Sequence, residues 1–512
     1  MADDDSPTQT HRRDPIKSSV VGNMAANRRR QLAASIGKER RESLLRAKRL
    51  CIEEDVMMDE DQAQIDAPLT SKAVEELNSV LQYQGKGAIQ KRIQGLRHLR
   101  RLLSKSDLPP VEAAVKAGAV PLLTQCLSFG SPDEQLLEAA WCLTNIAAGE
   151  PEQTKALLPA LPLLIAHLGE KSSIPVAEQC AWALGNVAGE GDELRNILLA
   201  QGALVPLARM MLSNKGSTAR TAAWSLSNLI KGPDPKAATE LIRVDGVLES
   251  IVRHLRKADE ELATEVAWVV VYLSALSNIA SGILVKSDAI QLLVSRLETS
   301  QSLQLRIPVL RSLGNLVAGE SYATYVVLVA GNGITEKVIT ALVQCLNSEH
   351  RVLKKEASWV LSNIAAGSIA HKQCIYSSDA VPSLLHLLSN APFDIRKEVA
   401  YVLGNLCVAP QEGTGQPPNV VLEHLISLVG QGCLPGFVNL VRSADIEAAR
   451  LGLQFLELVM RGLPNGEGPK LVEREDGIDA MERFQFHENE DLRNMANGLV
   501  DKYFGEDYGL HD

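Results

Sequence analysis

The sequence predicts an all-α chain built from repeats, and three observations carry that prediction. The five tryptophans among its 512 residues all stand in one recurring place. The apolar content is 46% of residues with only 4% aromatic, so it is mostly Leu, Ala, Val and Ile, which suits packed helices better than sheets. Turns of one kind return between the apolar stretches, as Ala117-Gly118-Ala119, Gln201-Gly202-Ala203 and Asp245-Gly246-Val247.

The recurring place is seen in Trp141-Cys-Leu-Thr-Asn145, Trp182-Ala-Leu-Gly-Asn186, Trp224-Ser-Leu-Ser-Asn228 and Trp359-Val-Leu-Ser-Asn363. Between Trp224 and Trp359 the slot is held by Trp268, with Tyr272 in the Asn place, and by Arg311, with Asn315. Tyr401 and Asn405 follow, so the steps are 41, 42, 44, 43, 48 and 42 residues and seven units are in register. A period of about 40–47 residues is that of armadillo and HEAT repeats, which stack two or three helices per unit into a superhelix.

The segments follow in chain order. Residues 1–60 form a basic arm, with Arg12, Arg13, Lys17, Arg28, Arg29, Arg30, Lys38, Arg40, Arg41, Arg46, Lys48 and Arg49 giving residues 12–49 a charge of +9. From Arg28 to Leu50 there is no proline and charges fall on all sides, the pattern of a helix that folds when wrapped by an acidic partner. The acidic run Glu53–Asp61 opens a stretch expected to be a flexible acidic linker over 61–74. The repeats are expected over 75–505, with 506–512 a short tail. Within a unit, Leu204–Met211 reads as an apolar helix after the turn at Gly202, and Thr218–Ile230 as the longer helix carrying Trp and Asn. Lys231-Gly232-Pro233 is a stop signal for that helix. Gly149, Gly189, Gly319 and Gly367 fall at the ends of the equivalent helices.

Trp and Asn at i and i+4 share one helix face. If the last helix of each unit lines the concave side, the chain presents a ladder of indoles beside a ladder of amides. An amide pairs with both N–H and C=O of an extended peptide, and slots between indoles accept aliphatic stems and attract the cations at their tips. That combination reads Lys/Arg-rich extended segments. The alternative, that the asparagines merely bond neighbouring loops, is disfavoured by four Trp–Asn repeats. Glu190 follows the Trp182 helix, while Glu265, Glu356 and Glu398 each lie three residues before an aromatic. These acids suit a cationic ligand.

Other classes are disfavoured. The net charge is −10, and the arm leaves residues 50–512 at −16, which argues against direct nucleic-acid binding. The eight cysteines form no CxxC pair, and Cys126, Cys142, Cys180, Cys345 and Cys407 lie in apolar stretches as small hydrophobes. No apolar run reaches the ~18 residues of a membrane span, and the first residues do not read as a secretion signal. The expected location is therefore the cytoplasm or the nucleus. No catalytic constellation, phosphate-cradling loop or metal cluster is present, and His487 in His-Glu-Asn-Glu lacks a second ligand, so no enzyme and no cofactor is expected.

On these motifs, above all Trp-Ala-Leu-Gly-Asn-Val-Ala-Gly at 182–189 and Trp-Val-Leu-Ser-Asn-Ile at 359–364, the chain closely resembles the importin α family of nuclear-import adaptors over nearly its whole length. The resemblance implies a right-handed superhelix of about ten armadillo repeats that binds basic nuclear localisation signals at two sites. The implied major site comprises Trp141, Asn145, Gly149, Thr154, Gln179, Trp182, Asn186, Glu190, Trp224, Asn228, Glu265 and Trp268, with Gly149, Thr154 and Glu190 around an anchoring lysine. The implied minor site comprises Arg311, Asn315, Val317, Glu356, Trp359, Ser362, Asn363, Glu398, Tyr401 and Asn405. Arg311 would repel a further cation and so separate the two sites. The resemblance also implies that importin β binds the 12–49 segment and relieves autoinhibition, and that an export receptor meets the last repeat near Leu471–Phe504. A catenin-like armadillo scaffold is the alternative, which the basic arm and the paired ladder disfavour. Three departures from the family pattern stand out: Glu190 and Glu265 replace aspartates, Tyr401 replaces a tryptophan, and the autoinhibitory basic cluster is reduced to Lys48-Arg49. The last predicts weak self-inhibition, so that deleting residues 1–70 tightens peptide binding by less than tenfold, about 1.4 kcal/mol.

Overall fold

A computed structural model describes residues 60–104, 109–319, 321–329, 335–409 and 419–505; the arm cations Arg12 to Arg49 and the tail lie outside them. The described residues are helical and contain no strand. They fall into two compact units that divide between Leu292 and Leu293.

Each unit is a succession of long helices in register, and after the first long helix each is preceded by shorter ones. In the first unit the long helices are Ala88–Ser104, Asp133–Ala147, Ile174–Glu190, Gly216–Ile230 and Glu260–Leu276, each packed on the next. In the second they are Leu303–Val317, Arg351–Ala365, Phe393–Leu406, Ile446–Gly462 and Glu490–Phe504, again packed in succession. These ten helices among the described residues match the expected ten repeats. Gly118, Gly202 and Gly246 have φ of 84°, 80° and 83°, a left-handed conformation that glycine alone adopts without a Cβ penalty. The shared turn therefore places each second helix in the same way.

The long helices between the first and the last are mostly buried. In Ile174–Glu190 every residue from Cys180 to Ala188 is buried, so small side chains alternate with large ones as they must between two packed neighbours. The cysteines follow this rule. Burial pushes the Cys126 thiol up to about 11 and the Cys433 thiol up to about 12. It raises Cys142, Cys180 and Cys407 as well. Removal from water disfavours the thiolate, so these cysteines act as small apolar side chains.

The expected linker over 61–74 is corrected by the structure: residues Glu60–Gln82 form one helix. Asp66, Thr70, Ala73, Val74 and Leu77 are buried on it, a helical spacing that the acidic flank obscures. This face packs on Ala88–Ser104 and on Val111–Lys116, and Arg92 caps the helix end by donating to the Leu81 carbonyl at 3.3 Å. A truncation after residue 70 would cut through this helix, so the arm is better removed as residues 1–59.

A buried lysine lies in the second unit. Lys372 is 2% exposed; its Nζ donates to the Asn405 carbonyl at 2.7 Å and to the Ala365 carbonyl. It thereby joins the C-terminal ends of two long helices, where a positive charge is favoured. Burial nevertheless lowers its pKa from 10.5 to about 8. The charged form is thus disfavoured by folding below pH ~8, and that cost fades as pH rises toward the unfolded value. The neighbours do not titrate in this window, because burial lowers His371 and His424 and raises Cys407. Between pH ~8 and pH ~10 the wild-type chain is expected to gain stability relative to Lys372→Met. Urea midpoints of the two chains at both pH values check this; parallel pH dependences would refute it.

Candidate functional site

The expected major-site residues lie in the first unit and the expected minor-site residues in the second. Within each unit the repeat register becomes a register of contacts. Asn186 Nδ2 donates to the Thr144 carbonyl at 3.2 Å and Asn228 Nδ2 to the Gly185 carbonyl at 3.3 Å. In the second unit Asn363 Nδ2 donates to Gly314 and Asn405 Nδ2 to Ser362, both at 3.0 Å. Each acceptor is the residue three after the Trp place of the preceding repeat. Asn145 donates instead to Ser104 Oγ at 2.9 Å.

The asparagines do bond neighbouring segments of the chain, and the repeats are what place those partners. Each of these amides commits one N–H to the bond, which fixes its plane. At Asn228 the oxygen already accepts from Lys231 Nζ at 3.1 Å. At Asn405 it has no hydrogen-bond partner among the described residues.

The indoles also differ from the expected row of open slots. Trp182, Trp224, Trp268 and Trp359 are between 4% and 8% exposed, and only Trp141 is half-buried. The Trp182 and Trp224 rings stack with centroids 4.9 Å apart, and Trp268 stacks on Tyr272 of its own helix at 6.3 Å. The rings are therefore part of the packing between repeats as well as candidate surfaces for a ligand.

The glycine in Trp-Ala-Leu-Gly-Asn, which the sequence left unexplained, is required by this packing. A Cβ on Gly185 would collide with the Trp224 ring, and one on Gly314 with the Trp359 ring. Mid-helix glycine costs about 1 kcal/mol relative to alanine, yet only glycine admits the next repeat's indole here. Gly185→Ala is therefore expected to destabilise the chain by about 1–3 kcal/mol despite its better helix propensity, measurable as a lowered urea midpoint. An unchanged or raised midpoint would contradict the close-packing account.

The acids separate into two kinds. Glu190, the last residue of its helix, and Glu398 are half-buried, and Glu265 is 4% exposed. Glu356 is committed to Arg311: its Oε1 accepts from Arg311 Nη2 at 2.9 Å and Nε at 3.2 Å, with side chains 6% and 7% exposed. This corrects the expectation that Arg311 acts as a free repelling charge and Glu356 as an available acid. The guanidinium and the carboxylate neutralise each other across two repeats.

The remaining expected residues have structural roles as well. Thr154 is fully buried and its hydroxyl is within 3.3 Å of the Ala147 and Glu150 carbonyls. The bond to Ala147 recurs from equivalent places, as Ser281 to Ser274, Thr324 to Val317 and Arg195 to Ala188. Gly149 lies beside the Gln153 side chain, which accepts from the Glu150 N–H at 3.0 Å in a capping box. Gln179 Nε2 donates to Thr144 Oγ1 at 2.7 Å, Ser362 Oγ donates to the Trp359 carbonyl, Tyr401 is buried, and Asn315 is half-buried. Glu138 is the residue that sequence reasoning missed. It stands three residues before Trp141, in the place Glu265, Glu356 and Glu398 hold in their repeats.

Known proteins share this architecture. The Armadillo/beta-catenin-like repeat model matches residues 107–148, 334–366 and 368–408, and a HEAT-like repeat model matches 133–187. An engineered protein of known crystal structure shares the fold with a TM-score of 0.72 at 24% identity, covering 84% of this chain and 98% of its own. The fold and its ladders thus define an armadillo-repeat protein. Among curated proteins, importin subunit alpha-9 of Arabidopsis thaliana is 67% identical, with 100% of each chain covered. Importin subunit alpha-2 of Oryza sativa subsp. japonica is 63% identical over 99% of this chain and 98% of its own. Importin subunit alpha-4 of Arabidopsis thaliana, at 31% identity over 97% of this chain and 92% of its own, is more distant. The chain belongs to the importin α family.

Proposed function

We propose that the chain is a nuclear-import adaptor that binds Lys/Arg-rich localisation signals along its two ladders. The observation that supports this best is the register of Trp and Asn, in which four amides are each held in one way by the preceding repeat. Glu190, Glu265 and Glu398 lie on the ladder helices and supply the charge for basic side chains. The basic arm at 12–49 links the cargo to importin β and competes for the same ladders. The last repeat, Glu467–Arg474, Gly477–Glu482 and Glu490–Phe504, meets an export receptor, and the protein shuttles between cytoplasm and nucleus. It acts by binding rather than by catalysis, with no cofactor, and contacts neither nucleic acid nor membrane directly.

The test is fluorescence anisotropy of a labelled Lys-rich peptide with the full chain and with the chain lacking residues 1–59. Asn145→Ala and Asn186→Ala are each expected to weaken binding by roughly tenfold, the worth of one or two peptide hydrogen bonds. Removal of the arm is expected to tighten binding by less than tenfold, given the reduced Lys48-Arg49 cluster. Tight binding that ignores both asparagines would favour a catenin-like scaffold with a purely structural ladder.

A further inference from the structure

Arg100 and Ser104 stand 41 residues before Trp141 and Asn145. They therefore hold the Trp and Asn places of the repeat that precedes the first indole. The structure joins the two repeats at these places. Asn145 donates to Ser104, and the Arg100 guanidinium lies 4.5 Å from the centroid of the Trp141 ring. Arg100 Nε donates to Glu138 Oε2 at 2.5 Å, with each side chain 10% exposed. Arg97, one turn earlier, takes the other carboxylate oxygen at 3.2 Å. A cation over an indole, held by an acid one helical turn before it, is the arrangement a basic peptide side chain would make with this ladder.

The second unit repeats the ion pair. Arg311 holds the Trp place before Trp359 and pairs with Glu356, three residues before that indole. Both ladders thus follow an arginine that is paired with the first acid of the ladder. One such pair is explicable as an isolated packing solution; two in the same register point to a common role.

We infer that Arg100 is an internal ligand of the first rung, which fills the cation subsite formed by Trp141 and Glu138 and so limits how many basic residues the first ladder reads. This rests on the peptide-binding reading above. A peptide cation reaching this rung must displace Arg100 from both ring and carboxylate, exchanging one buried ion pair for another. The exchange brings no net gain. With the Arg100 side chain removed, the ring and Glu138 Oε2 lose that partner, and an additional peptide lysine takes its place. Arg100 is therefore a specificity-determining residue, acting by occupancy.

The experiment measures dissociation constants of the full chain for a labelled peptide with a four-lysine core and for two peptides extended by one lysine, at either end. For each chain the benefit of each added lysine is the ratio of constants. In Arg100→Ala the benefit at one end is expected to rise about tenfold over wild type, and Glu138→Gln in the same background is expected to abolish that rise. Arg100→Lys, which keeps the cation, is expected to retain most of the wild-type restriction, and circular dichroism confirms that each variant is folded. Unchanged ratios with intact core binding, or equal weakening of all three peptides, would overturn the inference and leave Arg100 a support for Trp141. Failure of the wild-type chain to bind any of the peptides would instead overturn the ligand reading itself, and this inference with it.

Discussion

Glu356→Ala is expected to lower the stability of the second unit by roughly 3–5 kcal/mol, the loss typical of removing one partner from a buried ion pair. Arg311 is 6% exposed and directs two guanidinium nitrogens at one oxygen of Glu356. Alanine removes that acceptor from a guanidinium that is largely buried. Replacing both residues by leucine is expected to recover most of the loss, because the pair's attraction roughly offsets its desolvation. Urea unfolding measures the change, and hydrogen exchange on Leu303–Val317 and Arg351–Ala365 localises it. A loss below ~1 kcal/mol would mean that the pair behaves as a solvent-screened surface bridge. Under the proposed peptide-binding function, a cation at the second ladder would meet Glu356 already paired with Arg311.

Trp224→Ala is expected to have two large effects that must be measured separately. The indole is 5% exposed, stacks on Trp182 and lies over Gly185, so its loss leaves a cavity between repeats worth roughly 3–5 kcal/mol. It also removes a candidate surface for peptide stems, and affinity for a Lys-rich peptide is expected to fall more than tenfold, beyond the roughly 1.4 kcal/mol that corresponds to one decade. Trp224→Phe separates the two: it retains ring packing against Trp182 but offers a poorer face to a cation. Stability near wild type with weakened binding would support direct contact with the ligand. Full binding in Trp224→Phe alongside loss in Trp224→Ala would mean that the indole serves the ladder only through packing. The burial of the ring makes an alanine substitution alone uninformative about recognition.

Much of the architecture is legible because a helical repeat writes itself into the sequence many times over. The period sets the spacing of the long helices, and the glycines at 118, 202 and 246 mark turns whose positive φ requires them. Seven repeats align through Trp141 to Asn405 because their Trp and Asn places hold recognisable residues. The first repeat does not, since Arg100 and Ser104 look like an ordinary surface pair until Asn145 is found bonded to Ser104. The helix Glu60–Gln82 escapes for a related reason. Its buried stripe includes the polar Asp66 and Thr70, and an acidic flank reads as solvated when its packing partner is unknown.

By itself the sequence determined the helical class, the spacing of the repeats, the shared face of Trp and Asn, and the division into a basic arm and an acidic body. These follow from local geometry and composition, which act within a helical turn or as a sum over the chain. Tertiary structure decided how far each side chain is committed. Asn186 spends an N–H on Thr144, 42 residues away; Arg311 closes on Glu356 across 45 residues; and Arg100 rests over Trp141. The one-dimensional pattern shows which residues recur, but pairing energies depend on distance and solvent exposure. Those quantities exist only once the neighbouring repeat has packed.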